Sequence, residues 1–229
     1  AGAPTKRPSC STAVKAAGRV AELLETQTPV EDAARVVAFW LSELVGRTGS
    51  ARLGIPGGSA LTALARVKAL VTGDVWKAVK LTWVDERVVP VASADSNRGA
   101  AERSGVLESL GHVLPLVLDD EDGPKACARL SAAFERSFGG GLDVALLGMG
   151  EDGHVASLFP GHRLLDAKGV VAHLEDSPKP PPARVTMTLG VLQRPETKRL
   201  VLAAGAGKRD ALKKLLSKDQ ALPATLLGE

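Results

Sequence analysis

The sequence predicts an α/β fold with a mostly parallel central sheet flanked by helices. Three observations lead there. Short apolar runs alternate with longer stretches of helical periodicity, the strand–loop–helix rhythm of parallel sheets. Residues 142–147 are almost continuously apolar, as in a strand buried on both faces. The unusual polar and glycine-rich segments fall directly after strand candidates, where such sheets hold their ligands.

Element by element, residues 1–19 read as a basic N-terminal extension and residues 20–229 as one domain. The extension is rich in Ala, Ser and Thr and lacks acids, so it is either a solvated tail or the remnant of an organelle transit peptide. Residues 20–24 form a weak strand candidate. Thr28-Pro29-Val30-Glu31 reads as a capping box with proline at the first helical position. Val30, Ala33, Ala34, Val37, Leu41 and Leu44 continue at helical spacing, and Gly46 suits the stop. Residues 52–55 are a short strand leading into Pro56-Gly57-Gly58-Ser59, and residues 60–72 a helix ending at Gly73. Residues 80–84 are a strand, followed by Asp85-Glu86-Arg87. Ser96 can cap a helix running to about Leu110. Residues 113–118 read as a strand, 119–123 as an acidic turn and 124–138 as a helix. Further strands are expected at 170–174, 184–189 and 199–203, and a helix at 208–217. Residues 177–183 contain four prolines and must be a loop.

Composition excludes several classes. The chain has 229 residues, 45% of them apolar and 24% charged, which fits a globular protein rather than a disordered one. No apolar run approaches the ~20 residues that span a bilayer, so no membrane insertion is expected. Cys10 and Cys127 are too few for a disulfide scaffold and make no CxxC pair. As unpaired thiols they suit a reducing compartment, the cytosol or an organelle interior, with the plastid stroma suggested by the basic tail. The net charge of +3 is carried by Lys6, Arg7, Lys15 and Arg19; beyond residue 19 stand 25 basic against 26 acidic residues. With three Trp, four Phe and no Tyr besides, the domain offers neither a basic face nor a stacking platform, and no nucleic-acid partner is expected.

Four segments carry chemistry. Gly57, Gly58 and Ser59 stand between a strand and a helix, where free N–H groups and the helix dipole bind phosphate, unless the segment is simply a tight turn. Asp85 and Arg87 follow an apolar strand, with Ser96 and Asn97 downstream. Either this is a solvated turn with a local ion pair, or Arg87 faces an anionic or carbonyl oxygen while Asp85 orients a neighbour. The third segment, Gly148-Met149-Gly150-Glu151-Asp152-Gly153-His154, is the most informative. It presents an imidazole on a glycine-rich loop after a buried strand, two residues from a carboxylate. A group titrating near neutrality is what a general base needs. His112, His162 and His173 lack this setting and read as structural or surface residues. Arg184 and Lys208, at a strand start and a helix start, can converge on a phosphate, though most single cations are surface charges.

These segments together resemble the 6-phosphogluconolactonases, within the wider group that includes the glucosamine-6-phosphate deaminases. The resemblance spans roughly residues 20–227 in order: GGS at 57–59, VDERVVP at 84–90, SN at 96–97, LLGMGEDGHVASLFPG at 146–161, RVTMT at 184–188 and GAGK at 205–208. The 146–161 segment is the most specific. Arg87, and the Ser157-Leu158-Phe159-Pro160 run after the histidine, set the chain apart from the deaminase branch. The resemblance implies a Rossmann-like (NagB-type) three-layer sandwich. It also implies hydrolysis of 6-phospho-D-glucono-1,5-lactone to 6-phosphogluconate in the oxidative pentose phosphate pathway, without metal or organic cofactor. On that footing His154 activates water, Asp152 and Asp85 orient or tune it, and Arg87 stabilises the oxyanion. Gly57, Gly58, Ser59, Arg184 and Lys208 would hold the 6-phosphate, with Asn97 on the substrate side. The partner implied is a phosphorylated sugar lactone. Ala60 stands where the family usually has threonine, Arg98 where an aromatic is common, and a closing strand and helix are expected beyond Leu226-Leu227-Gly228-Glu229. The alternatives are a non-catalytic phosphosugar-binding or structural subunit of an organelle complex and, behind it, an amino-sugar-phosphate deaminase or isomerase.

Overall fold

The computed structural model describes residues 12–16 and 19–228; residues 1–11 of the expected basic extension lie outside the described residues. In chain order, β1 (Thr12–Ala16) and β2 (Arg19–Leu23) form an antiparallel hairpin. There follow α1 (Pro29–Thr48), β3 (Ala51–Ile55), α2 (Ser59–Leu70), α3 (Gly73–Lys77), β4 (Val79–Trp83) and β5 (Asp85–Arg87). Next come α4 (Asn97–Arg103), β6 (His112–Leu114), α5 (Gly123–Phe138), β7 (Val144–Gly148) and β8 (Val171–Leu174). The chain continues through β9 (Arg184–Met187), α6 (Leu189–Leu192), β10 (Lys198–Leu202), α7 (Arg209–Leu216) and α8 (Pro223–Leu226).

The central sheet has five strands in the order β10-β7-β3-β4-β6, all parallel. From β3 the chain builds outward through β4 and β6, then crosses back to lay β7 and β10 on the other side. The order therefore reverses between β3 and β7, and the crevice above their carboxyl ends is the switch point where such sheets bind ligands. The sheet interior is apolar on both faces. Leu53, Ile55, Leu81, Trp83, Leu146 and Leu147 are at most 1% exposed, each burial being worth roughly 1.5–3 kcal/mol. At the amino end, Arg52 donates to the Asp143 carboxylate through Nε (2.9 Å) and Nη2 (2.5 Å), tying the start of β3 to the approach to β7.

A second sheet, β5-β9-β8, is antiparallel. It was not expected: Asp85-Glu86-Arg87 does not look like a strand, yet it pairs residue for residue with Thr186, Val185 and Arg184. Helix α5 packs against β8 and β9 of this sheet; among its buried residues Ala126, Leu130, Phe134 and Phe138, the last two rings stack at 5.1 Å, and Phe138 also meets the His112 ring of β6.

Three expected boundaries and one expected cap change for local reasons. Gly46 lies inside α1, whose stop is Gly49; its φ of +79° gives the left-handed cap that glycine adopts without strain, and its N–H donates to the Val45 carbonyl. The Thr28 hydroxyl makes no capping bond. It donates to the Asp32 carboxylate (3.0 Å), as does the Thr26 hydroxyl (2.5 Å), so the reciprocal box with Glu31 does not form. Gly73 begins α3 rather than ending α2, because Thr72 caps the new helix by accepting the Val75 N–H. Ser96 caps α4 as expected, accepting the Gly99 N–H at 2.9 Å, but the helix ends at Arg103, ahead of Gly105 with φ +68°.

Candidate active site

The loop after β7 folds back on itself. The Gly150 N–H donates to the His154 carbonyl (2.8 Å) and the Gly153 N–H to the Gly150 carbonyl (3.1 Å). This tight turn brings the side chains of Asp152 and His154 together, with Oδ1 of the acid 2.5 Å from Nδ1 of the imidazole. A Cβ on Gly150 would stand 2.5 Å from that Oδ1 and closer still to the imidazole, so only glycine admits the pair here. The ring lies against Phe159 at 4.7 Å and is 17% exposed. Burial is the first cause holding the His154 imidazole below its ordinary range, and the Lys179 ammonium adds to it; the bond and charge of Asp152, and the charge of Asp85, pull the other way. Burial pushes the Asp152 carboxyl up, but the bond to His154 and the charges of His154 and Lys179 outweigh it, and the acid stays below its ordinary value. Both directions favour an uncharged imidazole beside an ionised carboxylate. Its Nδ1 is engaged with a carboxylate, and its Nε2 has no hydrogen-bond partner among the described residues.

The second candidate group follows β4. Asp85 is 5% exposed; it accepts the Ser157 hydroxyl at 2.7 Å and lies 3.9 Å from Nη1 of Arg184. The Arg87 guanidinium donates through Nη1 to the Asp95 carbonyl (2.8 Å), while its Nε is buried without a partner among the described residues. Between them Glu86, 2% exposed, acts as an internal cap. One oxygen accepts the N–H groups of Arg87 and Asn97 (both 2.8 Å); the other accepts the Arg98 N–H (2.6 Å) and the Ser96 hydroxyl (3.4 Å). Glu86 thereby locks β5 to the start of α4.

The third group surrounds the helix start after β3. Gly58 turns the chain with φ +67° into α2, whose first turn carries no acid. Gly57 lies so close to the Asn97 amide that a side chain there would overlap it. That amide donates to the Asp85 carbonyl (3.0 Å), which links the glycine loop to β5. Lys208 closes a short helical turn (Ala206–Lys208) after β10; its N–H donates to the Gly205 carbonyl (3.1 Å), and its side chain makes no hydrogen bond or ion pair with another described residue. The loops after β10, β7, β3 and β4 thus stand side by side, with the Asp152–His154 pair in the second.

Arg184 takes a different place from the other expected phosphate groups. It is 4% exposed and its donors turn inward, to the Pro181, Lys179 and Pro180 carbonyls (3.0, 2.9 and 3.1 Å) and to the Ser157 hydroxyl (3.3 Å). Here it anchors the proline-rich loop. Among residues the sequence reading did not single out, Lys179 on that loop reaches Oδ1 of Asp152 at 3.5 Å and Nδ1 of His154 at 3.4 Å. Ser157 and Glu86 are the buried links that hold the neighbouring candidates. The one sequence signal for Lys179 was a lysine fixed among four prolines just before a strand.

No group of three or more His, Cys, Asp or Glu that could hold a metal ion occurs among the described residues, and none of their helices is long and apolar enough to cross a membrane. A cavity of about 600 Å³ lined by His162, Arg163, Lys168, Gln193 and Leu226 holds none of the candidate residues. His162 is instead paired with Asp176 at 3.2 Å.

A parallel sheet with a glycine-rich helix start on one side of its switch point and a carboxylate–imidazole pair on the other suits an α/β enzyme acting on a small anionic substrate. Comparison with known proteins narrows the class. The family model of glucosamine-6-phosphate isomerases/6-phosphogluconolactonase matches residues 25–229. A 6-phosphogluconolactonase of Rattus norvegicus is 39% identical over 197 residues, which cover 80% of this chain and 76% of the relative. A protein of Oryza sativa subsp. indica named "Probable 6-phosphogluconolactonase 3, chloroplastic" is 33% identical over 221 residues, 87% of this chain and 67% of the relative. The crystal structure of a 6-phosphogluconolactonase from Thermotoga maritima superposes with a TM-score of 0.76 at 25% identity, covering 87% of this chain and 90% of that one. The chain belongs to the glucosamine-6-phosphate isomerase/6-phosphogluconolactonase family.

Proposed function

We propose that the chain hydrolyses 6-phospho-D-glucono-1,5-lactone to 6-phosphogluconate, the second step of the oxidative pentose phosphate pathway, with His154 as general base. The observation that carries the mechanism is the Asp152–His154 pair, whose Nδ1–Oδ1 contact of 2.5 Å leaves Nε2 as the basic nitrogen. Asp152 fixes the tautomer, and a neutral imidazole is ready to accept a proton at physiological pH. His154 takes a proton from water as the oxygen attacks C1. The tetrahedral oxyanion collapses, the C1–O5 bond breaks, and the imidazolium returns the proton to the departing ring oxygen. The product carboxylic acid then ionises.

Arg87 supports the oxyanion with its guanidinium, which the Nη1 bond to the Asp95 carbonyl orients. The 6-phosphate is assigned to the start of α2 at Gly57, Gly58 and Ser59, with Lys208 from the loop after β10. Asn97 positions that loop from beneath. Arg184, whose donors are taken by the chain itself, is assigned to holding Asp85 and the proline-rich loop. Anchoring the remote phosphate converts binding into orientation at C1. The basic residues at 6, 7, 15 and 19 and the chloroplastic name of the rice relative support a plastid stroma as the compartment.

The test is hydrolysis of freshly prepared lactone, followed beside ammonia release from glucosamine 6-phosphate. Lactone loss above the spontaneous rate with no ammonia release is the expected result. A folded chain that leaves the spontaneous rate unchanged would overturn the reading in favour of a binding subunit, and ammonia release would favour the deaminase branch.

A further inference from the structure

The proline-rich loop between β8 and β9 is built with more care than a connection needs. Pro178, Pro180, Pro181 and Pro182 each fix φ, which leaves the loop little freedom to lose. The Ser177 hydroxyl donates to the Lys179 carbonyl (2.8 Å) and accepts the Lys179 N–H (3.2 Å), and the Ser177 N–H donates to the Pro182 carbonyl (3.2 Å). From below, the buried Arg184 guanidinium takes the carbonyls of Lys179, Pro180 and Pro181, and is itself tied to Ser157 and Asp85. All of this fixes the backbone of one residue, Lys179. Its ammonium then extends over the turn after β7 to within 3.5 Å of Asp152 Oδ1 and 3.4 Å of His154 Nδ1.

We propose that Lys179 is a positioning residue of the hydrolytic site, a third member of the Asp152–His154 pair that orients the carboxylate and sets the pH range over which the imidazole is free to act. The inference rests on His154 being the base. Two physical effects follow from the geometry. The ammonium shares Oδ1 of Asp152 with the imidazole, which restrains the carboxylate in the position that aligns the ring. A fixed positive charge beside Nδ1 also opposes a second positive charge on the ring, so the imidazolium gives its proton up readily to the departing ring oxygen. The groups facing the imidazole are Asp152 from its own turn, Lys179 from the β8–β9 loop, Asp85 from β5 and, across the Phe159 ring, Arg184 from β9. Lys179 is the cation in direct contact with the pair and the one not buried against a carboxylate of its own; its side chain is 42% exposed.

The test uses the full chain with Lys179→Met, which keeps the stem and removes the charge, and Lys179→Arg, which keeps the charge. Two readouts are compared: the NMR titration of the His154 imidazole and the acid limb of kcat/KM. In Lys179→Met both should move to higher pH. Activity at pH 6, as a fraction of the plateau, should fall about two- to fivefold, the range set by a partly exposed charge pair. Lys179→Arg should restore both. An imidazole titration that coincides in the parent and Lys179→Met overturns the proposal, whatever happens to the plateau, because a purely structural loop would lower the plateau alone. An imidazole that shifts while the acid limb stays still would overturn instead the assignment of His154 as the base.

Discussion

Replacing Gly150 by alanine removes no functional group, yet it should disable the site. The added Cβ would lie 2.5 Å from Asp152 Oδ1 and nearer still to Nδ1 and Cε1 of His154. Ordinary contact of a methyl carbon begins near 3.4 Å, so the acid must retreat by about 1 Å and the ring by somewhat more. A displacement of that size at reacting groups costs about 10²-fold in rate, or roughly 2.7 kcal/mol of transition-state stabilisation. The backbone itself accepts alanine, because φ at Gly150 is not positive, and the atoms the new Cβ would meet belong to the side chains of Asp152 and His154 rather than to backbone or apolar core. The expected result is therefore a loss of kcat/KM of about 10²-fold with a nearly unchanged melting temperature. It is measured by lactone hydrolysis after subtraction of the spontaneous rate, beside thermal unfolding. Gly148→Ala provides the contrast: a Cβ there meets nothing within 4 Å, so the pair stays in place and any effect falls on KM. Full activity in Gly150→Ala would refute the argument that this turn exists to press Asp152 against His154.

Three further outcomes follow from the same geometry. Glu86→Gln places an amide N–H₂ against backbone N–H donors whichever way it rotates, since both carboxylate oxygens accept them. It should cost about 1–3 kcal/mol of stability in denaturant unfolding, and unchanged unfolding would contradict the capping role. Gly57→Ala forces Asn97 away from the helix start after β3. It should raise KM by about tenfold or more, the worth of a hydrogen bond to a charged group, with a smaller change in kcat. The acid limb of kcat/KM should fall below the ordinary imidazole range, because burial first and Lys179 next hold His154 there. The same lowering has a sign for stability: as pH falls from the ordinary imidazole value toward the folded one, the unfolded chain binds a proton that the folded chain does not. Stability should accordingly decline through that window and hold above it.

What could be read from the sequence was local. Residues 142–154 gave both the buried strand and the acid–histidine spacing, because the partners stand two apart on one turn and glycine is required between strand and imidazole. The helix start at Gly57–Ser59 and the cap at Ser96 were legible for the same reason. What escaped was long-range or conditional. Lys179 meets His154 across 25 positions, and Ser157 meets Asp85 across 72, through sheet pairings that no short pattern encodes. Asp85-Glu86-Arg87 was hidden as a strand because its polar side chains are satisfied individually rather than by alternation of apolar residues. Arg184 read as a phosphate ligand because a cation at a strand start is ambiguous; its partners are carbonyls of a loop whose path depends on the tertiary fold. Gly46 and Gly49 are equally good helix stops by composition, and the choice fell to the residue whose position needed a positive φ.

The central claim is that His154 is the base for lactone hydrolysis, and His154→Ala tests it most directly. The variant should fold as the parent does, since the imidazole caps no core contact beyond the Phe159 ring. Its kcat/KM on fresh 6-phosphogluconolactone should drop by about 10²–10⁴-fold, the usual contribution of a general base. A folded His154→Ala protein that hydrolyses the lactone as fast as the parent would contradict the account.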